Sequence, residues 1–274
     1  MRVSVITVCY NAIQGIEKTI MSVLGQTYSD IEYIVIDGGS EDGTLDVIRK
    51  YKDQISYYVS EPDNGIYDAM NKGIRTATGE WIAFLNAGDH YYSNASVEDV
   101  FSQEILPDTD VIYGFQVHSY DYGKFVRKRL PLTFFNSGMP FGHESSFVRA
   151  GVMKRIGFDT SYRIAADYNF FYKLYVSGNK FQPVDAIVTD FESMEGVSSS
   201  AKTTLLTHRE TSMVNGTYAS AQYIKGELGL YIRMLMKRLL AVFSKQIVTR
   251  RQRIQREHND EYIPLNVFLS NHHA

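Results

Sequence analysis

The chain has 274 residues, of which 44% are apolar and 22% charged, and this composition excludes a wholly disordered protein. Its single cysteine excludes a disulfide framework or a cysteine-rich zinc module, and its net charge of -3 excludes a general polyanion binder. No apolar run reaches the roughly 18 residues of a membrane span, and the N-terminal MRVSVITV lacks the pattern of a signal peptide. We therefore expect a protein that lies on the cytoplasmic side of the membrane.

Apolar residues in the first 90 positions alternate between runs typical of buried strands and spacings typical of helices. The runs predict strands over 3–8, 31–36, 55–59 and 81–85. The helices predicted between them rest on three sets of apolar residues: Ile16, Ile20, Val23 and Leu24; Leu45, Ile48 and Tyr51; Ile66, Met70, Ile74 and Ala77. The strands begin 24 to 28 residues apart, the length of a strand–helix–strand unit, which predicts a parallel sheet.

Polar or glycine-containing loops follow these strands at 9–11, 37–40, 61–65 and 86–89. Because ligands of parallel α/β sheets bind at the carboxyl ends of the strands, these loops form the predicted binding edge. Neither G-x-G-x-x-G after the first strand nor G-x-x-x-x-G-K-[ST] is present, which argues against a dehydrogenase and a P-loop kinase. If a nucleotide binds, another group must hold its phosphates. A carboxylate-bound divalent metal is the obvious substitute, and Asp89 lies at a strand end where that metal would bind.

Five stretches carry a resemblance to a known family: SVITVCYNA (4–12), SVLGQTYSDIEYIVIDGGSEDGT (22–44), SEPDNGIYDAMNKGIRTATGEWIAFLNAGD (60–89), MPFGHESSFVR (139–149) and GFDTSYRIAADYNFFYKL (157–174). Their order resembles that of the family 2 glycosyltransferases, in particular enzymes that build bacterial exopolysaccharide, capsule or O-antigen on a lipid carrier. The resemblance implies the GT-A fold, an α/β architecture with a Rossmann-like, mostly parallel central sheet flanked by helices. It also implies a nucleotide-sugar donor, expected to be a UDP-sugar.

The resemblance further implies roles for residues near the first two strands. Thr7, Tyr10 and Asn11 occupy the segment that contacts the nucleoside in relatives. Asp37, which Gly38 follows, matches the acid that hydrogen-bonds the uracil ring. The alternative for Asp37 is that it shapes the turn before the glycines.

The remaining implied roles belong to the diphosphate, the metal and the acceptor. Lys72 matches a basic residue near the diphosphate, and a solvated helix lysine is the alternative. The metal-binding D-x-D-like motif reads Asn86-Ala87-Gly88-Asp89, so Asp89 is the remaining acid and the implied ligand of Mn²⁺ or Mg²⁺, with Asn86 beside it. A turn-stabilising role is the alternative for Asp89.

Asp167 matches the acceptor base, although the usual E-D pair is here Ala166-Asp167. A carboxylate near a sugar hydroxyl supplies general-base catalysis of about 10²- to 10⁴-fold, and a single base without an enzyme nucleophile implies inversion. The alternative is that Asp167 caps the helix that follows. His143, Glu144 and Tyr67 are further active-site candidates, with structural packing as their alternative.

The C-terminal part differs in charge from the rest. Residues 225–256 carry nine basic residues and one acid, a net charge of +8, against -11 for the remainder. Apolar residues recur there at helical spacing: Leu228, Tyr231, Ile232, Leu235, Leu239, Val242 and Phe243. This basic amphipathic helix predicts binding to a membrane surface, with packing on the domain or an oligomer contact as alternatives, and no nucleic-acid motif accompanies it.

We predict a glycosyltransferase domain over 1–204, with a nucleotide-binding half at about 1–115, an acceptor half at about 116–204 and a mobile loop at 193–204. A helical, basic extension over 205–274 follows, whose last residues, 257–274, are either disordered or fold back through Tyr262, Leu265, Val267 and Phe268. The predicted function is transfer of a sugar from a nucleotide donor to a saccharide acceptor on a lipid. A nucleotidyltransferase, a non-catalytic nucleotide- or sugar-binding homologue and a membrane-associated scaffold remain as alternatives, and the oligomeric state is open.

Overall fold

The computed structural model describes residues 1–192, 201–241 and 261–272. Its first part alternates strands and helices as the sequence predicts: β1 (Val3–Cys9), α1 (Ile16–Leu24), β2 (Ile31–Asp37), α2 (Thr44–Lys50), β3 (Tyr57–Ser60), α3 (Ile66–Thr76) and β4 (Trp81–Phe84). Strand β1 lies between β2 and β4, and β3 extends the sheet beyond β2, all in parallel. All seven residues of β1 are buried because helices cover both faces of the strand.

The third strand begins two residues later than the pattern of apolar residues predicts. Ile55 is buried, but its backbone N–H donates to Tyr51 O at the end of α2 rather than to the sheet. Ser56 then donates to Tyr33 O, and β3 starts at Tyr57. A buried turn residue and a buried strand residue give the same apolar signal, so the sequence could not separate them.

The second part adds antiparallel strands to this sheet. Its elements are β5 (His90–Tyr91), α4 (Ser96–Phe101), β6 (Val111–Tyr120), β7 (Gly123–Arg127), β8 (Ser146–Arg149), α5 (Ala150–Ile156), α6 (Ala166–Val176) and β9 (Phe181–Glu192). Two short 3₁₀ helices, Leu132–Asn136 and His143–Ser145, precede β8. Among the described residues the strand order is β10-β7-β6-β8-β4-β1-β2-β3, where β10 is the C-terminal strand Tyr262–Pro264. Strand β9 runs parallel to β6 and also pairs with β5.

The described C-terminal residues are helical and return to the sheet. Helix α7 (Ala201–Val214) runs through the domain boundary expected at residue 204, and α8 (Ala221–Ala241) follows it. Strand β10 (Tyr262–Pro264) pairs with β7, and α9 (Leu265–His272) buries Phe268 against Phe115. The described part of 257–274 therefore folds back onto the domain, which was one of the two expected alternatives. Val267 stays exposed. Most of the loop expected at 193–204 and the basic residues beyond 241 lie outside the described residues.

No helix within the described ranges combines the length and the apolar character that a bilayer crossing requires.

Candidate functional site

The loops after β1 and β2 are joined by hydrogen bonds at the carboxyl edge of the sheet. The N–H of Asn11 donates to Ser40 Oγ at 2.7 Å, and the N–H of Glu41 donates to Asn11 Oδ1 at 2.9 Å. Asn11 has a φ of 48°, in the left-handed region that asparagine tolerates better than most residues. Tyr10 beside it is exposed. The two loops therefore form one wall, with an aromatic ring open to a ligand.

Asp37 ends β2 and is fully buried. Its Oδ1 accepts hydrogen bonds from Ser40 Oγ at 2.5 Å and Cys9 Sγ at 3.5 Å. Its Oδ2 accepts from the Ser40 N–H at 3.0 Å and from Ser60 Oγ at 2.5 Å. These contacts are the ones expected if Asp37 shapes the turn before the glycines. A contact between Asp37 and the uracil ring stays a prediction.

Asp63 is a further candidate site residue, which the sequence reasoning did not single out. A Cβ on Gly38 would lie 2.5 Å from Asp63 Oδ2 and 3.4 Å from the Tyr10 ring, so a glycine at 38 lets these side chains meet. Asp63 Oδ1 accepts a hydrogen bond from the Gly65 N–H at 2.8 Å. Its place in the loop after β3 was the available signal, because this loop lies on the predicted binding edge.

Thr7 and Cys9 face the interior of the protein. Thr7 is fully buried, and its Oγ1 lies 3.1 Å from Tyr33 Oη, so its side chain does not reach the cleft. Its contact with a nucleoside stays a prediction. Burial, followed by the charge of Asp37, raises the pKa of the Cys9 thiol well above its ordinary value. Cys9 thus behaves as a small buried apolar residue rather than as a nucleophile.

Lys72 on α3 is 17% exposed and is engaged with the loop after β3. Its Nζ lies 2.9 Å from Glu61 Oε1 and donates to Pro62 O at 3.0 Å. These contacts argue against the solvated-lysine alternative, because the ammonium group fixes the loop that carries Asp63. A contact with a diphosphate stays a prediction.

The 86–89 loop follows β4 and packs against the start of α1. Thr19 Oγ1 accepts a hydrogen bond from the Gly88 N–H at 3.0 Å and donates to Asp89 O at 2.7 Å. Asp89 is almost buried, and the buried Asn86 Oδ1 accepts no hydrogen bond from the described residues. Amide and carboxylate oxygens are ligands that Mg²⁺ and Mn²⁺ bind, so Asn86 and Asp89 fit a hard cation.

The described residues contain no group of three or more histidine, cysteine, aspartate or glutamate side chains arranged to hold a metal. A cation at Asn86 and Asp89 would therefore need further oxygen ligands from a bound diphosphate and from water.

Asp167 lies in the first turn of α6 and is surrounded by the other active-site candidates. The Tyr67 hydroxyl donates to Asp167 Oδ1 at 3.2 Å, and His143 Nδ1 lies 3.3 Å from Asp167 Oδ2. His143 Nδ1 also lies 3.3 Å from Glu144 Oε1. Burial and the charge of Asp167 raise the pKa of Tyr67, so its hydroxyl stays a hydrogen-bond donor. The structure thus brings together four residues that lie up to 100 positions apart.

Asp167 does not cap α6, contrary to the alternative that the sequence offered. Ala165 is the N-cap of α6 and makes no side-chain hydrogen bond, and Asp167 is already inside the first helical turn. Two carboxylate oxygens face His143 Nδ1, which favours the tautomer with its proton on that nitrogen. The geometry holds the Asp167 carboxylate in one orientation at the end of the helix.

A chain of polar side chains on β6, also missed from the sequence, supports this cluster. Gln116 Nε2 donates to Glu144 Oε2 at 2.9 Å, and His118 Nε2 lies 3.0 Å from Gln116 Oε1. A Cβ on Gly142 would lie 2.3 Å from Gln116 Oε1, so a side chain at 142 would displace the glutamine. The alternation of Gln116 and His118 along a strand was a weak signal, because alternate polar residues usually face solvent.

Comparison with known protein families gives one domain match. The family described as "Glycosyl transferase family 2" matches residues 4–170, more than half of the chain. Among curated relatives, an uncharacterised glycosyltransferase of Mycobacterium tuberculosis is 34% identical over 178 residues, which cover 61% of this chain and 66% of the relative. The chain therefore spans slightly less than two thirds of that relative's length. A PGL/p-HBAD biosynthesis glycosyltransferase of Mycobacterium bovis is 32% identical, with 61% and 67% covered.

Solved structures confirm the predicted fold class. The structure of S. aureus TarS 1-349 in complex with UDP-GlcNAc has a TM-score of 0.61 at 19% identity, covering 85% of this chain and 73% of that one. The mannosyltransferase PcManGT of Pyrobaculum calidifontis, in complex with GDP-Man and Mn²⁺, has a TM-score of 0.59 at 18% identity, covering 90% and 82%. At such identities the similarity is one of fold.

Proposed function

This chain belongs to glycosyltransferase family 2, and we propose that it transfers a sugar, with inversion, from a UDP-sugar to a saccharide acceptor on a lipid carrier. The observation that carries the proposal is the Asp167 carboxylate, oriented by Tyr67 and His143. The UDP-GlcNAc complex of S. aureus TarS supports a UDP-linked donor, and the Mycobacterium bovis relative, named for PGL/p-HBAD biosynthesis, supports a biosynthetic glycosyl transfer.

Asp167 acts as the general base of the proposed reaction. As the acceptor oxygen bonds to the anomeric carbon, its proton moves to a carboxylate oxygen of Asp167. The bond between the anomeric carbon and the diphosphate oxygen breaks, and its electron pair leaves with the nucleoside diphosphate. Tyr67 and His143 keep the carboxylate in the orientation that receives the proton.

The donor would bind along the carboxyl edge of β1 to β4. Tyr10 and Asp63 line this edge beside Gly38, and Asp37 and Asn11 fix the loops. A Mn²⁺ or Mg²⁺ ion held by Asn86 and Asp89 would, when bound, neutralise the charge that develops on the leaving diphosphate. Lys72 would add a positive charge at the loop after β3.

Calorimetric titration with UDP and GDP, each with and without Mn²⁺, tests the donor and the metal. We expect UDP to bind more tightly than GDP, with Mn²⁺ strengthening the binding and Asp89→Ala removing this effect. Asp46→Ala is the matched control, because Asp46 is exposed on α2 and pairs with Arg49.

Failure of both nucleotides to bind would overturn the proposed donor class. UDP binding that neither Mn²⁺ nor Asp89→Ala affects would overturn the metal site alone. UDP binding without turnover of any UDP-sugar, in wild type, would favour the non-catalytic homologue.

Membrane association is the second part of the proposal, and helix α8 supports it. Ile224, Leu228, Tyr231 and Ile232 recur at helical spacing and are 54–60% exposed, so this face is not packed on the described part of the domain. The sequence from 225 to 256 adds nine basic residues. An exposed apolar face with basic flanks fits an anionic lipid surface, where each basic residue contributes about 1 kcal/mol.

Sedimentation with vesicles tests this surface. We expect the wild type to bind phosphatidylglycerol-containing vesicles and not neutral phosphatidylcholine vesicles. Leu228→Glu should lower the binding at least about tenfold, because it places an acid in the apolar face. Met21→Glu is the control, since Met21 is equally exposed on α1. Equal binding by Leu228→Glu and wild type would overturn the α8 surface.

A further inference from the structure

Glu210 on α7 is a buried acid that lies outside the cleft residues described above. It is 7% exposed, and its carboxylate accepts hydrogen bonds from three successive backbone N–H groups. The Arg163 N–H lies 3.0 Å from Oε1 and 3.2 Å from Oε2, and the Ile164 and Ala165 N–H groups each lie 3.0 Å from Oε2. A carboxylate taken out of water needs such compensation, and here the backbone supplies it.

These three N–H groups belong to the segment that leads directly into α6. Ala165 is the N-cap of that helix, and Asp167 follows two residues later in its first turn. The negative charge of Glu210 also lies near the positive end of the α6 dipole, which favours it there. The position of the first turn of α6 therefore depends on where α7 holds Glu210.

Other contacts limit how α6 and α7 move relative to each other. The Tyr168 hydroxyl donates to Phe135 O, and Asn215 Nδ2 donates to Asn136 O at 3.1 Å. Helix α6 and Asn215, the residue that follows α7, thus both bind the 3₁₀ helix Leu132–Asn136. The Glu210 carboxylate joins α7 to α6 at the end that carries Asp167.

We propose that Glu210 is a positioning residue for Asp167: it holds the 163–165 backbone so that the Asp167 carboxylate meets the acceptor hydroxyl. This inference rests on the proposed transferase function. It assigns a role in the reaction to a residue of the predicted C-terminal extension. Since misplacing a reacting group by about 1 Å lowers a rate about 100-fold, the loss of this anchor should appear in kcat.

Glu210→Gln is the first variant, because a glutamine has a single acceptor oxygen and its NH₂ group would face backbone donors. Glu227→Gln is the matched control, since Glu227 on α8 accepts a hydrogen bond from Tyr223, and the hydrogen bonds of the described residues do not join it to the 163–165 segment. Glu210→Asp keeps the carboxylate on a shorter side chain and replaces Glu210→Gln if that variant does not fold.

Hydrogen exchange tests the anchor without any activity. In Glu210→Gln we expect faster exchange of the amides of 163–165 and a changed ¹³C shift of the Asp167 carboxyl. Glu227→Gln should leave both signals unchanged. Unchanged exchange and an unchanged Asp167 signal in Glu210→Gln would overturn the proposal, and these readings hold even if the wild type transfers no sugar.

A double-mutant comparison tests the link to catalysis. We expect Glu210→Gln to lower kcat about 100-fold with the Kd for UDP within about twofold of wild type. In an Asp167→Asn background the same change should lower kcat less than about twofold, because the group that it positions is already lost. An equal loss in both backgrounds, or a matching loss of UDP affinity, would show a general structural role and overturn the proposal.

Discussion

Three aspartates at the carboxyl edge of the sheet differ in what their surroundings allow them to do. Asp37 is fully buried and accepts hydrogen bonds on both oxygens, so it stabilises a turn. Asp89 lies in the same loop as Asn86, whose buried amide oxygen accepts no hydrogen bond from the described residues, and such a loop suits a cation. Asp167 is held by a tyrosine and faces a histidine, which suits a base. The same side chain is thus suited to three different purposes, because hydrogen bonding and burial differ among the three sites.

Replacing Asp167 with asparagine tests its role at the residue scale. Asparagine keeps the shape but removes the proton acceptor, so we expect kcat to fall about 10²- to 10⁴-fold with the Kd for UDP unchanged. Initial rates of UDP release in the presence of acceptor, together with calorimetry, measure the two quantities.

Asp159→Asn is the control for this change, because Asp159 lies in the same stretch of sequence but accepts hydrogen bonds from Ser161. We expect it to change kcat less than about twofold. A similar loss of rate in both variants would show that Asp167→Asn disturbs this stretch rather than removes a base.

At the scale of elements, helix α3 links the core to the Asp167 cluster and to the loop after β3. Its face against the sheet carries Gly73, where a Cβ would lie 2.5 Å from Ile6 Cγ2 on β1. The same helix carries Tyr67, which contacts Asp167, and Lys72, which contacts the loop after β3. The close approach of α3 to β1 thus sets where these two side chains lie.

Gly73→Ala tests this close approach. Alanine normally stabilises a helix interior relative to glycine by about 1 kcal/mol, but here its methyl group overlaps the buried, β-branched Ile6. We expect a net loss of about 1–3 kcal/mol in the free energy of unfolding, measured by urea denaturation. Gly151→Ala on α5 is the control, because no atom lies within 4 Å of its added Cβ. Equal effects of the two substitutions would contradict the packing argument.

The whole molecule buries several groups that ionise at alkaline pH. Burial raises the pKa values of Tyr33, Tyr67 and Tyr91 and of the Cys9 thiol, and it raises the pKa of Tyr168 to about 12. In the unfolded chain phenols ionise near pH 10 and the thiol near pH 9. The unfolded state therefore releases protons at a lower pH than the folded state does.

The contribution of these groups to stability should consequently be constant below about pH 9 and fall as the pH rises beyond it, with the Tyr168 contribution lost through pH 12. Thermal unfolding between pH 8 and 11, with absorbance at 295 nm as the measure of phenolate, follows this loss. Tyr91→Phe should reduce the slope of Tm against pH, while Tyr10→Phe, which alters an exposed residue, should not. A slope unaffected by Tyr91→Phe would contradict the contribution of that buried phenol.

The sequence by itself determined the parallel part of the fold and the sheet edge at which we propose that ligands bind. Apolar periodicity is a local property, so it located β1 to β4 and their helices to within a few residues, and the loops of the site followed from the strand ends. It also supplied the family, through motifs that lie within short stretches. The boundary at residue 204 and the roles of the individual site residues stay predictions.

Tertiary structure alone decided which distant residues meet. Asp37 turned out to be buried, Asp63 came beside Gly38, and Glu210 reached the backbone 45 to 47 residues before it. The branched pairing of β9 with both β5 and β6 was likewise not readable from apolar spacing. Periodicity reports whether a residue faces inward, but hydrogen-bond partners and burial depend on which elements pack together, and that is settled by contacts between residues far apart in the chain.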